Sequence, residues 1–128
     1  MAEKTRELTV KVRTHFLGEE SSGQDDRNQY VFAYTVSMEN TGRISARLLG
    51  RRWVITDGNG KVTEVVGEGV VGEHPYLRPG DLFQYTSSSR IDTPVGTMHG
   101  SYQMVGDDGI PFEAPIAPFR LAASSKLH

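Results

Sequence analysis

Apolar side chains fall at every second position over much of this chain. Leu8, Val10, Val12 and Phe16 alternate with Thr9, Lys11, Arg13 and His15. Only an extended backbone sends successive side chains to opposite faces, so the segment reads as a strand with one buried face. The same period returns from Gln29 to Glu39, where Tyr30, Phe32, Tyr34, Val36 and Met38 share a face. It returns again from Gly96 to Val105, with Met98, Tyr102 and Met104 together. No stretch sustains the three-and-four spacing of a helical stripe. A chain patterned this way buries its apolar faces by packing sheet on sheet.

Turn signals divide the strands. Asn40-Thr41-Gly42 reverses the chain, Asp57-Gly58-Asn59-Gly60 is a strong hairpin signal, and Asp107-Asp108-Gly109 marks a second hairpin. Leu17 to Asn28 is rich in Gly, Ser, Glu, Asp and Gln and reads as a mobile loop. Ile44, Ala46 and Leu48 point one way, whereas Trp53 and Ile55 continue on the opposite parity. One extra residue is needed between them, which predicts a bulge near Leu49-Gly50. Lys61 to Val66 is β-rich, and two further strands surround the Pro79-Gly80 turn, the later from Leu82 to Ile91. Ile110 to Leu121 is the last strand, and Pro115 and Pro118 imply that it lies at an edge or bends. Seven or eight strands separated by turns predict an all-β fold, an antiparallel β-sandwich, with Trp53 in its core. The 128 residues suit one domain, with flexible tails expected at residues 1–6 and 122–128.

Composition removes several function classes. The absence of cysteine excludes disulfides, thiolate zinc sites, iron–sulfur clusters and cysteine nucleophiles. A net charge of −2 gives no global attraction to nucleic acid or to an anionic membrane. The polar N-terminus lacks the apolar core of a signal peptide, and no apolar run is long enough to span a bilayer. A cytoplasmic location is the expectation.

The most function-like stretch is Gly67 to Asp81, GEGVVGEHPYLRPGD, which opens with G-x-G-x-x-G. In dinucleotide-binding proteins that spacing joins a strand to a helix whose N-terminus faces the pyrophosphate. Here a strand precedes the glycines, but Pro75 and Pro79-Gly80 follow, and no ordinary helix tolerates them. Gly67, Gly69 and Gly72 are therefore expected to serve a bend or a positive-φ position, with one of Val70 and Val71 facing the core and the other outside. Asp57, Asn59 and Glu68 imitate calcium-loop positions, but Lys61 and Val62 occupy places that need a ligand and a glycine, so a hairpin wins. No two histidines lie three to five residues apart. His74 beside Glu73, with Asp81 nearby, could join a metal site only after folding. No metal site and no cofactor are expected. Ser87-Ser88-Ser89 lacks the context of a nucleophile, and the paired loop acids lack a cleft.

Arg43, Arg47, Arg51 and Arg52 form the one basic concentration, with Arg43 and Arg47 read as sharing an exposed strand face. Such a face can hold a phosphate or a partner, or simply keep a strand soluble.

Assembled, these residues resemble a known family. WVITDGNG from Trp53, GEGVVG from Gly67, PYLRPG from Pro75, FQYTS from Phe83, GTMHGSYQM from Gly96 and PIAPFRL from Pro115 are similar to the ApaG family, from Leu8 to Leu121. The resemblance implies an immunoglobulin- or fibronectin type III-like sandwich. It also implies small bacterial proteins often encoded near a diadenosine tetraphosphate hydrolase, a loose association with cobalt and magnesium tolerance, and interaction-type domains inside larger eukaryotic proteins. It carries no catalytic residues, and it proposes the glycine loop as a pyrophosphate element. Two expectations follow. One is a non-enzymatic module for an unidentified protein partner, in contact through Gly67 to Gly80 and the basic face. The other is a protein for a small phosphate or nucleotide, held by the glycine loop with Arg78 and Arg52 as charge partners. The binding candidates are Gly67, Gly69, Gly72, Glu73, His74, Arg78, Arg43, Arg47 and Arg52. Neither a membrane nor nucleic acid is an expected partner, and the sequence sets no oligomeric state.

Overall fold

The computed structural model of the chain describes residues 4–21 and 28–123. Eight strands run in order: β1 Leu8–Ser21, β2 Asn28–Asn40, β3 Ala46–Asp57, β4 Val62–Glu68, β5 Tyr76–Leu77, β6 Leu82–Ile91, β7 Val95–Gly106 and β8 Pro111–Ala122. They form an antiparallel β-sandwich. One sheet has the order β1-β2-β6 and the other β4-β3-β7-β8, with β5 also paired to β3. Among the described residues no helix is long and apolar enough to cross a membrane.

The alternating residues become the core. Phe32, Val36 and Met38 of β2 and Leu48, Trp53, Met98, Tyr102 and Met104 of the facing sheet are almost wholly buried. Trp53 is the centre of an aromatic cluster, edge-on to Tyr34 at 5.2 Å, Phe119 at 5.9 Å and Tyr102 at 6.4 Å between ring centroids. Such pairs add to the burial of their own apolar area. A buried hydroxyl pair links the two sheets, Tyr85 Oη to Tyr102 Oη at 2.5 Å. Asn40 is buried for a different reason. Its Nδ2 donates to the carbonyls of Ile44 and Leu77 while its Oδ1 accepts from the Gly42 amide, so it ties the β2–β3 turn to β5.

The turns agree with the sequence. Asp57 Oδ1 accepts from the Asn59 and Lys61 amides at the tip of the β3–β4 hairpin, so the carboxylate that imitates a calcium ligand is spent on its own turn. The bulge falls between Leu48 and Gly50, against β7. β8 lies at a sheet edge and is irregular between its pairings Phe119↔Met98 and Ile116↔Gly100, where Pro118 sits. One expectation fails. Leu17 to Ser21 belong to β1; Leu17 falls in a register shift between Phe16 and Gly18, and Gly18 to Ser21 pair with β2 from Val31 to Asn28. The ladder with β2 overrides the polar, glycine-containing sequence there. Residues 22–27 of the expected loop lie outside the described residues. At the N-terminal end, the Thr5 carbonyl accepts from the Arg43 and Ile44 amides.

The two lateral margins of the sandwich differ. At one margin β1 and β8 pack against each other across the layers; β4 and β6, at the other, share no comparable contact among the described residues. That margin is open.

Candidate functional site

β4 and β5 are two parts of one edge. Both run antiparallel to β3, β4 pairing with Gly50 to Thr56 and β5 with Ala46 and Arg47. The chain between them leaves the ladder at Gly69, whose amide donates to the Leu49 carbonyl, and returns at Pro75, whose carbonyl accepts from the Leu48 amide. The glycine-rich stretch is therefore an outward fold of an edge strand, pinched at two adjacent residues of β3. Within it Val70 and Glu73 exchange both backbone hydrogen bonds around the two-residue turn Val71-Gly72. Both turn residues have positive φ, 44° and 80°, the signature of the tightest hairpin turns. Val70 is fully buried and Val71 is exposed, the division expected from their parities.

Each glycine has its own reason. Gly69 has φ 62°, and a Cβ there would run into the Glu73 carbonyl. Gly72 has φ 80° and open space around it. Gly67 pairs with Arg51 in the ladder, and its bare Cα leaves room for the Arg51 guanidinium. The loop amides of Gly69, Val70 and Glu73 are all spent on backbone carbonyls. Its carbonyls at Glu68 and Gly69 accept from Arg51 Nη1, both at 2.9 Å. A phosphate cradle needs the opposite polarity, with free N–H groups converging on the anion.

Arg51 was not among the residues singled out as a binding set. The bulge in β3 puts it on the inner parity with Trp53 and Ile55, half-buried at the open margin. The other arginines are dispersed. Arg43 lies in the turn before β3 and not on a strand face, because Asn40 and the Thr5 carbonyl hold that turn. Arg47 lies over the Tyr76 ring, 5.0 Å from its centroid, and donates to the His74 carbonyl. Arg52 points outward and bonds Glu64 of β4. Arg78 bonds Asp81 in the β5–β6 turn, where the Arg78 amide and side chain together hold the Asp81 carboxyl below its usual range. His74 Nδ1 lies 3.1 Å from the Leu48 carbonyl, and Glu73 is committed through its backbone to the small hairpin. Among the described residues no three His, Asp or Glu side chains converge as metal ligands.

Two features remain at the open margin. The outer parity of β4 presents Val62 and Val66, 60% and 72% exposed, around Glu64. Behind them a crevice runs between β4 and β6, lined by Tyr34, Arg51, Trp53, Val65 and Ser87. Burial pushes the Tyr85 hydroxyl up to about 12, against the pull of its Tyr102 hydrogen bond and the nearby Arg51 charge. Tyr102 is raised further, again chiefly by burial.

The fold and this margin define an open β-sandwich whose polar groups are spent largely on its own turns and edges. Comparison with known proteins gives the family. Residues 20–106 match the ApaG domain. The chain is 64% identical to Protein ApaG of Methylococcus capsulatus over 128 residues, covering all of both chains. It is 55% identical to Protein ApaG of Nitrosospira multiformis, again over the full length of each. A crystal structure of an ApaA protein from Bordetella pertussis is 48% identical and superposes with a TM-score of 0.88, over 98% of this chain and all of that one. The chain belongs to the ApaG family.

Proposed function

We propose that the protein is a non-enzymatic interaction module that receives an extended segment of a partner protein along β4 and the adjoining 67–80 excursion. The observation that carries the reading is the character of the β4 edge. Sheet edges are normally protected against pairing by proline, lysine or arginine, bulges or cover. β8 carries Pro111, Pro115 and Pro118, β1 carries Lys11 and Arg13, and β6 turns Gln84, Thr86, Ser88 and Arg90 outward. β4 reads VTEVVGE, with no proline and no cation, and exposes Val62 and Val66. An edge of that kind suits strand addition, in which backbone hydrogen bonds give affinity and alternate side chains give selectivity. The exposed Val71 and Tyr76 extend the apolar surface beyond β4.

The double variant Val62→Lys/Val66→Lys tests this. Both side chains are exposed, so the melting temperature should stay near wild type, within the ~0.5 kcal/mol usual for surface changes. Wild-type protein should retain a discrete partner from native lysate at native expression, and the variant should lose it. Equal capture by both proteins places the contact elsewhere. A nucleotide reading centred on the glycine loop has less support, because the loop turns carbonyls toward Arg51 and spends its Gly69, Val70 and Glu73 amides on backbone carbonyls.

A further inference from the structure

We propose that the crevice between β4 and β6 is a binding site for a small organic anion, a carboxylate or phosphate carried on a flat apolar body. The inference is independent of the partner-binding reading. Two adjoining cavities of about 260 and 380 Å³ share Tyr34, Arg51, Trp53 and Ser87. The larger falls within the usual range for small-molecule sites. The space exists because the inner face of β6 carries Ser87 and Ser89 between the larger Tyr85 and Ile91.

Three residues with polar groups line the crevice. The first is the Arg51 guanidinium. Only its Nη1 is occupied, by the two loop carbonyls, and no carboxylate lies within ion-pair distance among the described residues. The neighbouring cations differ, for Arg90 bonds Glu20 and Lys61 pairs with Asp92. A half-buried guanidinium with free N–H groups is a natural receptor for an oxyanion. The second is Trp53, 2% exposed, whose Nε1–H has no acceptor among the described residues. The indole nitrogen is itself covered, so Trp53 enters the site as an apolar wall whose N–H reports on its surroundings. The third is Ser87, which lines both cavities and whose hydroxyl has no hydrogen-bond partner among the described residues. Tyr34, Trp53, Val65 and Met98 supply the apolar walls for the body of the ligand. Arg51 would take the charged head and Ser87 a second oxygen.

Trp53 is the single tryptophan, so one indole N–H resonance reports on the site. The ¹⁵N-labelled full chain is titrated with benzoate, with phenyl phosphate and with benzyl alcohol as the neutral counterpart. At least one anion should shift the indole resonance saturably with a Kd of about 1 mM or tighter, and the alcohol should bind about tenfold more weakly or not at all. A response to benzoate alone assigns the site to carboxylates, and to phenyl phosphate alone assigns it to phosphates. Arg51→Met should weaken the anion about tenfold or more. Because Arg51 also holds the loop, Ser87→Leu provides a second variant that fills the crevice from β6 without touching Arg51. It should keep the wild-type melting temperature and lose the shift. Failure of both anions to give a saturable shift, an equal response to benzyl alcohol, or undiminished binding by Ser87→Leu overturns the proposal.

Discussion

Val71 holds a φ of 44° at the exposed tip of the small hairpin, a conformation that β-branched residues rarely take. The left-handed region costs such a side chain roughly 1–2 kcal/mol, whereas asparagine enters it readily. Val71→Asn is therefore expected to stabilise the fold by about 1 kcal/mol, read as a higher denaturant midpoint at unchanged slope. If Val71 contributes to the partner surface, the same change weakens partner capture, which would explain why strain is tolerated there. The glycines beside it should differ from one another. Gly72→Ala meets open space and should cost about 1 kcal/mol for positive φ alone. Gly69→Ala adds a collision with the Glu73 carbonyl and should cost more, with or without nucleotide present. Equal midpoints for the two alanine variants would contradict this reading of the excursion. The buried Tyr85–Tyr102 pair sets a limit at high pH. Both hydroxyls ionise less readily in the folded chain than at the ordinary value of 10.0. Their stabilising contribution is complete below pH 10; that of Tyr85 is lost as pH rises through about 12 and that of Tyr102 at higher pH still, because the unfolded chain releases those protons first. In an alkaline absorbance titration, two of the five tyrosines should ionise only together with unfolding.

At the scale of the strands, period-two patterning was legible wherever one face meets the core. β2, β7 and the β3 bulge follow directly from side-chain parity. The end of β1 was not legible, because Gly18, Glu19, Glu20 and Ser21 are held by pairing with β2 and not by an apolar face of their own. The candidate site was less legible than the fold. Arg52, read as a charge partner for phosphate, bonds Glu64 across the ladder, and Arg43 belongs to a turn. Arg51 belongs to the basic concentration but not to the binding candidates, although the signal is present: the parity change that places Trp53 in the core places Arg51 on the same face. The free N–H groups of Trp53 and Arg51 depend on packing between distant strands, which local sequence does not encode. The β3–β7 pair should be the least tolerant part of the sandwich. A Cβ at Gly100 would run into the Arg52 carbonyl of the neighbouring strand. Gly100→Ala is expected to destabilise by more than about 3 kcal/mol, visible as loss of cooperative unfolding, while Gly60→Ala, at a turn with open space, should cost only about 1 kcal/mol.

Across the whole molecule, the asymmetry between margins organises the functional reading. β1 and β8 close one side, and on the other β4, the 67–80 excursion and the crevice lie together. The glycine-rich motif is the structural hinge of that margin: it lets one edge strand fold outward and return to β3, and it leaves room for Arg51. The account's central claim is that a partner docks on this margin. Site-specific photo-crosslinking in living cells tests it most directly, with the reactive residue placed in turn at Val62, Val66 and Val71 and, on the closed side, at Lys11 and Arg13. The account predicts one discrete crosslinked protein from the first three positions and none from the last two. Crosslinks of equal yield from both sides, or the same product from Lys11 and Arg13 alone, would contradict it.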